Sequence, residues 1–462
     1  MTHVEVYRVS VGFRIDDETC DRILAQGLMS TTYTDPIYIS KVVKTETSTI
    51  FTVYALSKSS ARAFKNALME DLGSLESFDP QIDPNADPPE PPREVWSRVG
   101  QWTKTVGNAT TTISGLPGEP KGIVLWGSGL AGATLGTFSM NGGVVFGFSN
   151  GTENRDLAYA AQHNQVTSNA NRSIGKKAFH LIDPTGDAST HIKGDCTVSF
   201  GASSFNLNWS VTTLGTVGNY FVFGGDDISS VLISDQQVGT TSSGRFDYEL
   251  GDRYNFGLML YPFIDGGLPW PTAETGHAGA LHSISAQGGP HQTRSWTTCI
   301  GNADDMSPSM VHALQKRLYT LSGMSEEDEH EQQFCKFRGW TDSGFTLEWF
   351  NAPTAADFIF TGMYVQGGLW DAGHFYQPTA PGNVFTLLMS RNQLVQGLMG
   401  FSINKHDVSD EGHAVEHAYF SIGGADNVGG KGCSVYGGRA VSSPTDEVSL
   451  VASDKFMKYI GE

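Results

Sequence analysis

Charge is scarce in this sequence. Asp, Glu, Lys and Arg make up 17% of it, and the balance is acidic, at −19. A chain held open by self-repulsion carries far more charge and fewer aromatics, so intrinsic disorder is excluded. An acidic surface repels phosphate backbones and anionic lipid, which argues against nucleic acid or a membrane surface as partner. No apolar run reaches the roughly 18 residues of a membrane-spanning helix. The opening MTHVEVYRVSVGFRIDDETC lacks an apolar core segment, so no secretory leader is expected. Cysteine is sparse too. Cys20, Cys196, Cys299, Cys335 and Cys433 are odd in number, far apart and without a CxxC pair. Free, buried thiols in a chain made in a reducing cytoplasm fit that pattern. There is no HExxH, no GxSxG, no P-loop and no Asp-x-Asp-x-Asp-Gly loop, so the common zinc, serine-hydrolase, nucleotide and calcium signatures are missing.

Glycine, in contrast, is abundant. Its 54 residues are scattered among Phe, Tyr, Trp, Val and Thr. That mixture reads as many short strands joined by tight turns. At 462 residues the chain is too long for one ordinary core and suggests roughly two to four domains.

The first 77 residues stand apart. VEVYRVSVGFRI (4–15), IYISKVVK (37–44) and STIFTVYAL (48–56) alternate or run as strands. DDETCDRILAQGLM and SKSSARAFKNALMEDL carry helical spacing, the second capped by Ser57. The order β-α-β-β-α predicts a small α+β docking or assembly domain. Pro80, Pro84, Pro88, Pro89, Pro91 and Pro92 follow among acids, so residues 78–95 read as a stiff, extended linker. Beyond Trp96 helical periods almost vanish, except in SPSMVHALQKRL (307–318).

In that β-rich remainder the chain repeats itself. SSFNLNW ends at Trp209 and YFVFGGDD follows at 220–227. SGFTLEW ends at Trp349 and MYVQGG follows at 363–368. Cys196 stands 13 residues before Trp209, and Cys335 stands 14 before Trp349. A looser third copy, YFSIGGAD (419–426), follows GLMGFSINKHD, which echoes VVFGFSNGT (144–152). This is an internal repeat. In FTLEW, Phe345, Leu347 and Trp349 share one face of a strand, and Thr346 and Glu348 the other. The glycine pairs 224–225, 367–368 and 423–424 are expected to end buried strands at turns or bulges. Residues 96–236 and 237–380 are expected to be two β-sandwich repeats, jelly-roll or lectin-like, and 381–462 a partial third unit. The predicted fold is thus mainly β.

Several motifs invite chemistry. Gly127-x-Gly129-x-x-Gly132 has the letters of a dinucleotide loop, but no helix and no timely acid follow, so a glycine-rich turn is expected. His406, Asp407, Asp410, Glu411, His413, Glu416 and His417 form the densest set of ligand-type residues. HAVEHAYFSI alternates like a strand, so a solvated loop running into a strand is expected rather than a zinc site. SEEDEHEQQ (325–333) reads as an exposed acidic insertion. Asp226 and Asp227 are a carboxylate pair in a turn, too little for acid–base work on a glycan. No catalytic residue, metal ligand or cofactor is assigned. The candidate ligand or interface residues are the loop aromatics Trp270, Trp370, Phe375 and Tyr376.

The order GLPGEPKGIVLWGSG … VVFGFSNGTENRD … SSFNLNW … NYFVFGGDD resembles β-rich repeats of uncharacterised virion structural proteins of tailed bacteriophages. Pro120-Lys121, Trp126, Gly147-Phe148, Phe205, Leu207, Trp209 and Gly224-Gly225 carry the likeness, which is good over roughly 115–235, moderate over 240–370 and weak beyond 380. The resemblance implies a virion component and carries no catalytic residues with it. The expectation is therefore a non-enzymatic structural subunit of a phage tail, baseplate or head exterior. It would assemble in the host bacterial cytoplasm as a homo-oligomer, a trimer or ring, with other virion proteins as neighbours. The alternative is a carbohydrate-binding module for a host surface glycan, and after that a polysaccharide hydrolase.

Overall fold

The computed structural model describes residues 5–11, 37–44, 49–55, 64, 81–82, 95–164, 170–185, 192–238, 242–263, 281–288, 295–302, 311–317, 321–324, 331–351, 359–370, 372, 395–405, 413–415, 417–439 and 446–453. The fold is mainly β, built from several antiparallel sheets. The chain divides into two compact units, residues 1–93 with 375–394 and residues 94–374 with 395–462.

In the smaller unit, β1 (Glu5–Val11), β2 (Ile37–Lys44), β3 (Thr49–Ala55) and β4 (Gln81–Ile82) form sheet I in the order β2-β3-β1-β4. Buried Phe51 meets buried Phe64 edge-on at 6.1 Å. Apart from Phe64, the two expected helical stretches lie outside the described residues. One correction falls in the linker. Gln81 and Ile82 stand between Pro80 and Pro84 and keep their N–H groups, and they pair with Arg8 and Tyr7 of β1. The proline-rich segment is therefore tied to the sheet at its start.

The larger unit begins with β5 (Val95–Lys104), β6 (Thr110–Ser114), β7 (Pro120–Gly127), β8 (Phe138–Ser139), β9 (Gly142–Ser149), β10 (Asn154–Ala161), β11 (Ala170–Gly175), β12 (Phe179–Ile182), β13 (Ile192–Gly201), β14 (Ser204–Trp209) and β15 (Thr216–Gly225). Sheet II has the order β11-β10-β9-β7-β15-β5, and sheet III the order β12-β13-β14-β6. Next come β16 (Ile228–Gln237), β17 (Gly244–Glu249), β18 (Phe256–Phe263), β19 (Leu281–Gly288), β20 (Ser295–Asn302), β21 (Val311–Arg317), β22 (Leu321–Met324), β23 (Glu331–Trp340), β24 (Gly344–Asn351) and β25 (Ile359–Gly367). The last strands are β26 (Gly397–Lys405), β27 (His413–Val415), β28 (His417–Asp426), β29 (Lys431–Arg439) and β30 (Asp446–Ser453). Sheet IV runs β16-β25-β18-β19-β20-β21-β27, sheet V runs β17-β24-β23-β22, and sheet VI runs β26-β28-β29-β30-β8.

Three cores explain the two textures of strand in the sequence. One core is filled from sheets II and III, by Ile123, Leu125, Ala158 and Val222 against Phe179, Cys196, Phe205, Leu207 and Trp209. A second is filled from sheets IV and V, by Met259, Tyr261 and Tyr364 against Cys335, Phe345, Leu347 and Trp349. The third gathers Trp126, Phe146, Phe148 and Phe223 of sheet II, Leu258, Leu260 and Val365 of sheet IV, and Phe420 and Ile422 of sheet VI. Sheet II is thus covered on both faces. Its strands β7, β9 and β10 are buried almost without a break, which is why GIVLWG and GVVFGF are continuous apolar runs. Sheet III keeps one wet face, and β14 alternates strictly between half-buried and buried. The cysteine-to-tryptophan spacing now has a geometric cause. Cys196 stands opposite Trp209 across the β13–β14 hairpin, and Cys335 opposite Trp349 across β23–β24.

Three further expectations need correction. SPSMVHALQKRL carries helical spacing, yet 311–317 is β21, held between β20 and β27. Ladder pairing on both sides outweighs the weak helical preference of that segment. Glu331–Gln333, read as part of an exposed insertion, open β23 and pair with β22. The rest of that acidic stretch lies outside the described residues. Gly423 and Gly424 do not end a strand. They lie inside β28, each facing a partner on β26 and on β29. A Cβ on Gly424 would stand 3.0 Å from the Trp126 ring and 3.3 Å from Val99, so glycine is needed there for close sheet packing. The other two glycine pairs do end strands: Gly225 has φ +119, and Gly367 and Gly368 have φ +86 and +68.

Candidate functional site

Of the four aromatics singled out from sequence, Trp370 is described. It is half-buried, stacked on Phe256 at 4.4 Å and edge-on to Phe223 at 5.1 Å. Its indole N–H donates to the Gly367 carbonyl at 2.9 Å. The ring thereby seals the rim of the shared core. Trp270, Phe375 and Tyr376 lie outside the described residues.

Asp226 and Asp227 occupy the turn between β15 and β16. The Asp227 carbonyl accepts the N–H of Gly368 at 2.9 Å. A Cβ on Gly367 would meet that same carbonyl oxygen at 1.9 Å. This fixes the turn against the end of β25. The 127–132 glycines also form turns: Gly129 and Gly132 have φ +68 and +74, and Leu130 bridges to Ile182. Most of the 406–417 group lies outside the described residues. His413–Val415 and His417 onward are strands, as their alternation suggests. Among the described residues no three His, Cys, Asp or Glu side chains gather as a metal site.

The structure brings together one titratable group that the sequence hid. His180 on β12 and Asp156 on β10 meet through Nδ1 and Oδ2 at 2.6 Å, with side-chain exposures of 4% and 0%. Burial pushes the Asp156 carboxyl up, and His180 pulls it only part of the way back. Burial alone lowers His180, but the charge and hydrogen bond of Asp156 more than reverse that and hold it raised. Cys196 is buried nearby, its thiol pushed well up by burial. Asp195 and Lys177 pair beside them at 2.8 Å. The constellation has the letters of a cysteine–histidine–aspartate centre, but Cys196 is a protonated core side chain and the pair is sealed from solvent. Its visible work is to tie sheet II to sheet III. Nothing in the spacing of Asp156 and His180 could have revealed it.

Two other polar devices join parts of the larger unit. Arg155 on β10 grips Asp235 on β16 with two hydrogen bonds of 2.7 Å each, and its side chain is 6% exposed. Burial opposes its charge, and Asp235 and Glu153 restore it. The Asp426 carboxylate accepts three backbone N–H groups, from Val99 at 2.8 Å, Val428 at 3.0 Å and Gly430 at 2.7 Å. Val99 belongs to β5, an edge strand of sheet II. The β28–β29 turn therefore covers that edge.

The outward faces of sheets III and V differ in chemistry. On sheet III, Thr112 bonds Asn206 at 2.7 Å and Asn208 bonds Ser199 at 3.1 Å, an uncharged ladder. On sheet V the same strand positions carry Arg245, Asp247, Lys336, Arg338 and Glu348. Glu348 accepts from Arg338 and lies 3.5 Å from Arg245. The chain matches no protein-family model and no curated protein.

Proposed function

We propose that this chain is a structural subunit of a tailed-bacteriophage particle, in the tail, baseplate or head exterior. It acts by self-associating and by presenting tandem β-sandwiches, without catalysis and without a cofactor. In this reading the first unit is an α+β docking domain, and assembly takes place in the host cytoplasm among other virion proteins.

The observation that carries the reading is strand order. Read from β5, sheet II runs β5-β15-β7-β9-β10-β11. Read from β16, sheet IV runs β16-β25-β18-β19-β20-β21 before β27 joins. Sheets III and V correspond in the same way, β6-β14-β13-β12 with β17-β24-β23-β22. Two copies of one ten-stranded plan, in register with the sequence repeat, support tandem sandwiches. Pro120, Trp126, Phe148, Phe205, Leu207, Trp209 and Gly224, which carry the phage resemblance, are all buried in the first copy. A third sheet locks onto both: β8 from the first copy completes sheet VI, and β27 from the third part completes sheet IV. Such cross-linking makes a rigid block, which suits a load-bearing subunit.

The test is the mass of the purified full-length chain by light scattering. A stable trimer or larger ring at micromolar concentration is the expected result. A monomer across that range overturns the self-assembly part of the proposal.

A further inference from the structure

We propose that the uncharged end of the first sandwich is where copies of this chain meet, around the symmetry axis of the oligomer. This inference rests on the self-association reading above and names the surface that carries it.

Three loops build that end: 105–109 between β5 and β6, 128–141 between β7 and β9 with β8 inside it, and 210–215 between β14 and β15. Backbone bonds lace them together. The Gly107 N–H donates to the Thr212 carbonyl and the Gly132 N–H to the Gly215 carbonyl, at 2.7 Å each. The Thr137 hydroxyl folds the longest loop back by donating to the Thr134 carbonyl at 2.7 Å. A Cβ on Gly107, Gly132 or Gly136 would meet nothing within 4 Å, so the loops stand clear of the sandwich body. On them Val106 is 69% exposed, Leu135 39%, Phe138 54% and Met140 63%. The other large apolar side chains exposed among the described residues, Phe350, Leu369, Val395 and Val428, are divided between the margins of sheets IV, V and VI. Scattered exposed apolar residues are ordinary, whereas a concentration of them on one surface marks an interaction site.

Charge identifies the partner. Residues 105–118, 122–152 and 196–225 contain no Asp, Glu, Lys, Arg or His, in a chain that carries −19. Lys104, at the root of the first loop, turns inward: its ammonium donates to the Leu214 carbonyl, and the residue is 1% exposed. Asp183, beside the Leu130–Ile182 bridge, pairs with Lys193 at 3.3 Å. The opposite end of the same sandwich is different, with Glu119, Glu153, Lys176 and Asp226 exposed. Two copies of an acidic chain repel each other wherever carboxylates face carboxylates. The three loops let copies approach without that repulsion. Phe138 and Met140 suit the centre of such a contact, since interface cores are poor in charge and rich in aromatic residues and Met. An uncharged apolar surface is also compatible with its own copy, and a closed symmetric contact brings one patch against itself. β8 lies on this surface as the last strand of sheet VI, and an edge strand is a template on which a neighbouring chain can pair.

The experiment compares the full-length chain with Phe138→Ser/Met140→Glu by light scattering at micromolar concentration. The double variant should fall to the mass of one chain with an unchanged melting temperature. Val428→Glu, which alters an equally exposed residue on another surface, should keep the parent mass. A second arm covers the case in which the double variant does not fold. In a Cys20→Ser/Cys299→Ser background, Met140→Cys should give a disulfide-linked pair of chains on mild oxidation, and Val428→Cys should not. A parent chain that is itself a monomer overturns the self-association reading and this contact with it. An oligomer that survives in Phe138→Ser/Met140→Glu, or a Met140→Cys chain that cross-links no better than Val428→Cys, overturns this inference alone and leaves that reading standing.

Discussion

The bond between Arg155 and Asp235 should decide whether the two ten-stranded halves of the larger unit unfold as one body. The guanidinium is nearly sealed, and its two 2.7 Å bonds cross from β10 to β16. Replacing Asp235 by Ala leaves that cation buried, with Glu153 at 3.3 Å and the Asn154 carbonyl as its remaining partners. Removing one member of a buried pair costs about 3–5 kcal/mol. Asp235 keeps 25% of its surface in solvent, so the lower end applies, about 3 kcal/mol. Exchanging both residues, Arg155→Met with Asp235→Leu, removes the desolvation cost together with the attraction and should cost under about 1 kcal/mol. The assay is urea unfolding followed by tryptophan fluorescence, with Trp102 and Trp126 in one half and Trp349 in the other. Asp235→Ala should lower the midpoint and split a single transition in two. Single substitutions that cost less than about 1 kcal/mol, or that add to the double within about 0.5 kcal/mol, would refute the reasoning.

Other consequences can be checked in the same way. His180 is raised above its ordinary value of about 6.5, so its stabilising contribution is complete below that pH and falls away as pH rises through the raised value. Asp156, raised by burial, acts in the same direction. The urea midpoint should therefore fall as pH rises from about 6 to 9, and fall less in Asp156→Asn/His180→Gln; equal slopes would exclude this pair as the cause. Gly424→Val forces a side chain against Trp126 and Val99 and should cost about 1–3 kcal/mol, read by calorimetry. Asp426→Ala strands three N–H groups and should cost about 2–3 kcal/mol; a loss below about 0.5 kcal/mol would mean that water replaces the carboxylate. In a Cys20→Ser/Cys299→Ser variant, the buried thiols of Cys196, Cys335 and Cys433 should resist a thiol reagent until denaturant is added.

Much of the β architecture is legible in the letters, because burial on one face and burial on two leave different marks. FNLNW and FTLEW alternate, and they are strands with one wet side. GIVLWG and GVVFGF do not alternate, and they lie between two cores. The Cys-to-Trp spacing marked a repeat, and only the register shows that it spans a hairpin. What stayed hidden depends on contacts between distant segments. Nothing local tells Asp156 that His180 will face it, or Arg155 that Asp235 will. HALQKRL is a fair helix in isolation and a strand between two neighbours. Gly423 and Gly424 match the other glycine pairs in letters but serve packing rather than a turn. The stacked rings of Phe334 and Phe350 were passed over because they flank a core motif. Only the hairpin register puts them side by side.

The pairing of β8 with β30 also sets an order in time. Phe138 must wait for Leu450, roughly 310 residues further along the chain. At about 5–20 residues per second that wait is about 15–60 s on the ribosome. Throughout it, the segment with Leu135, Phe138 and Met140, apolar and exposed even in the finished fold, lacks its strand partner. Any product cut short before residue 446 keeps that unpaired strand, and one cut short before residue 417 also leaves bare the faces of sheets II and IV that pack on Phe420 and Ile422. Such fragments would clump or be degraded, so the late strands act as proofreaders of the larger unit.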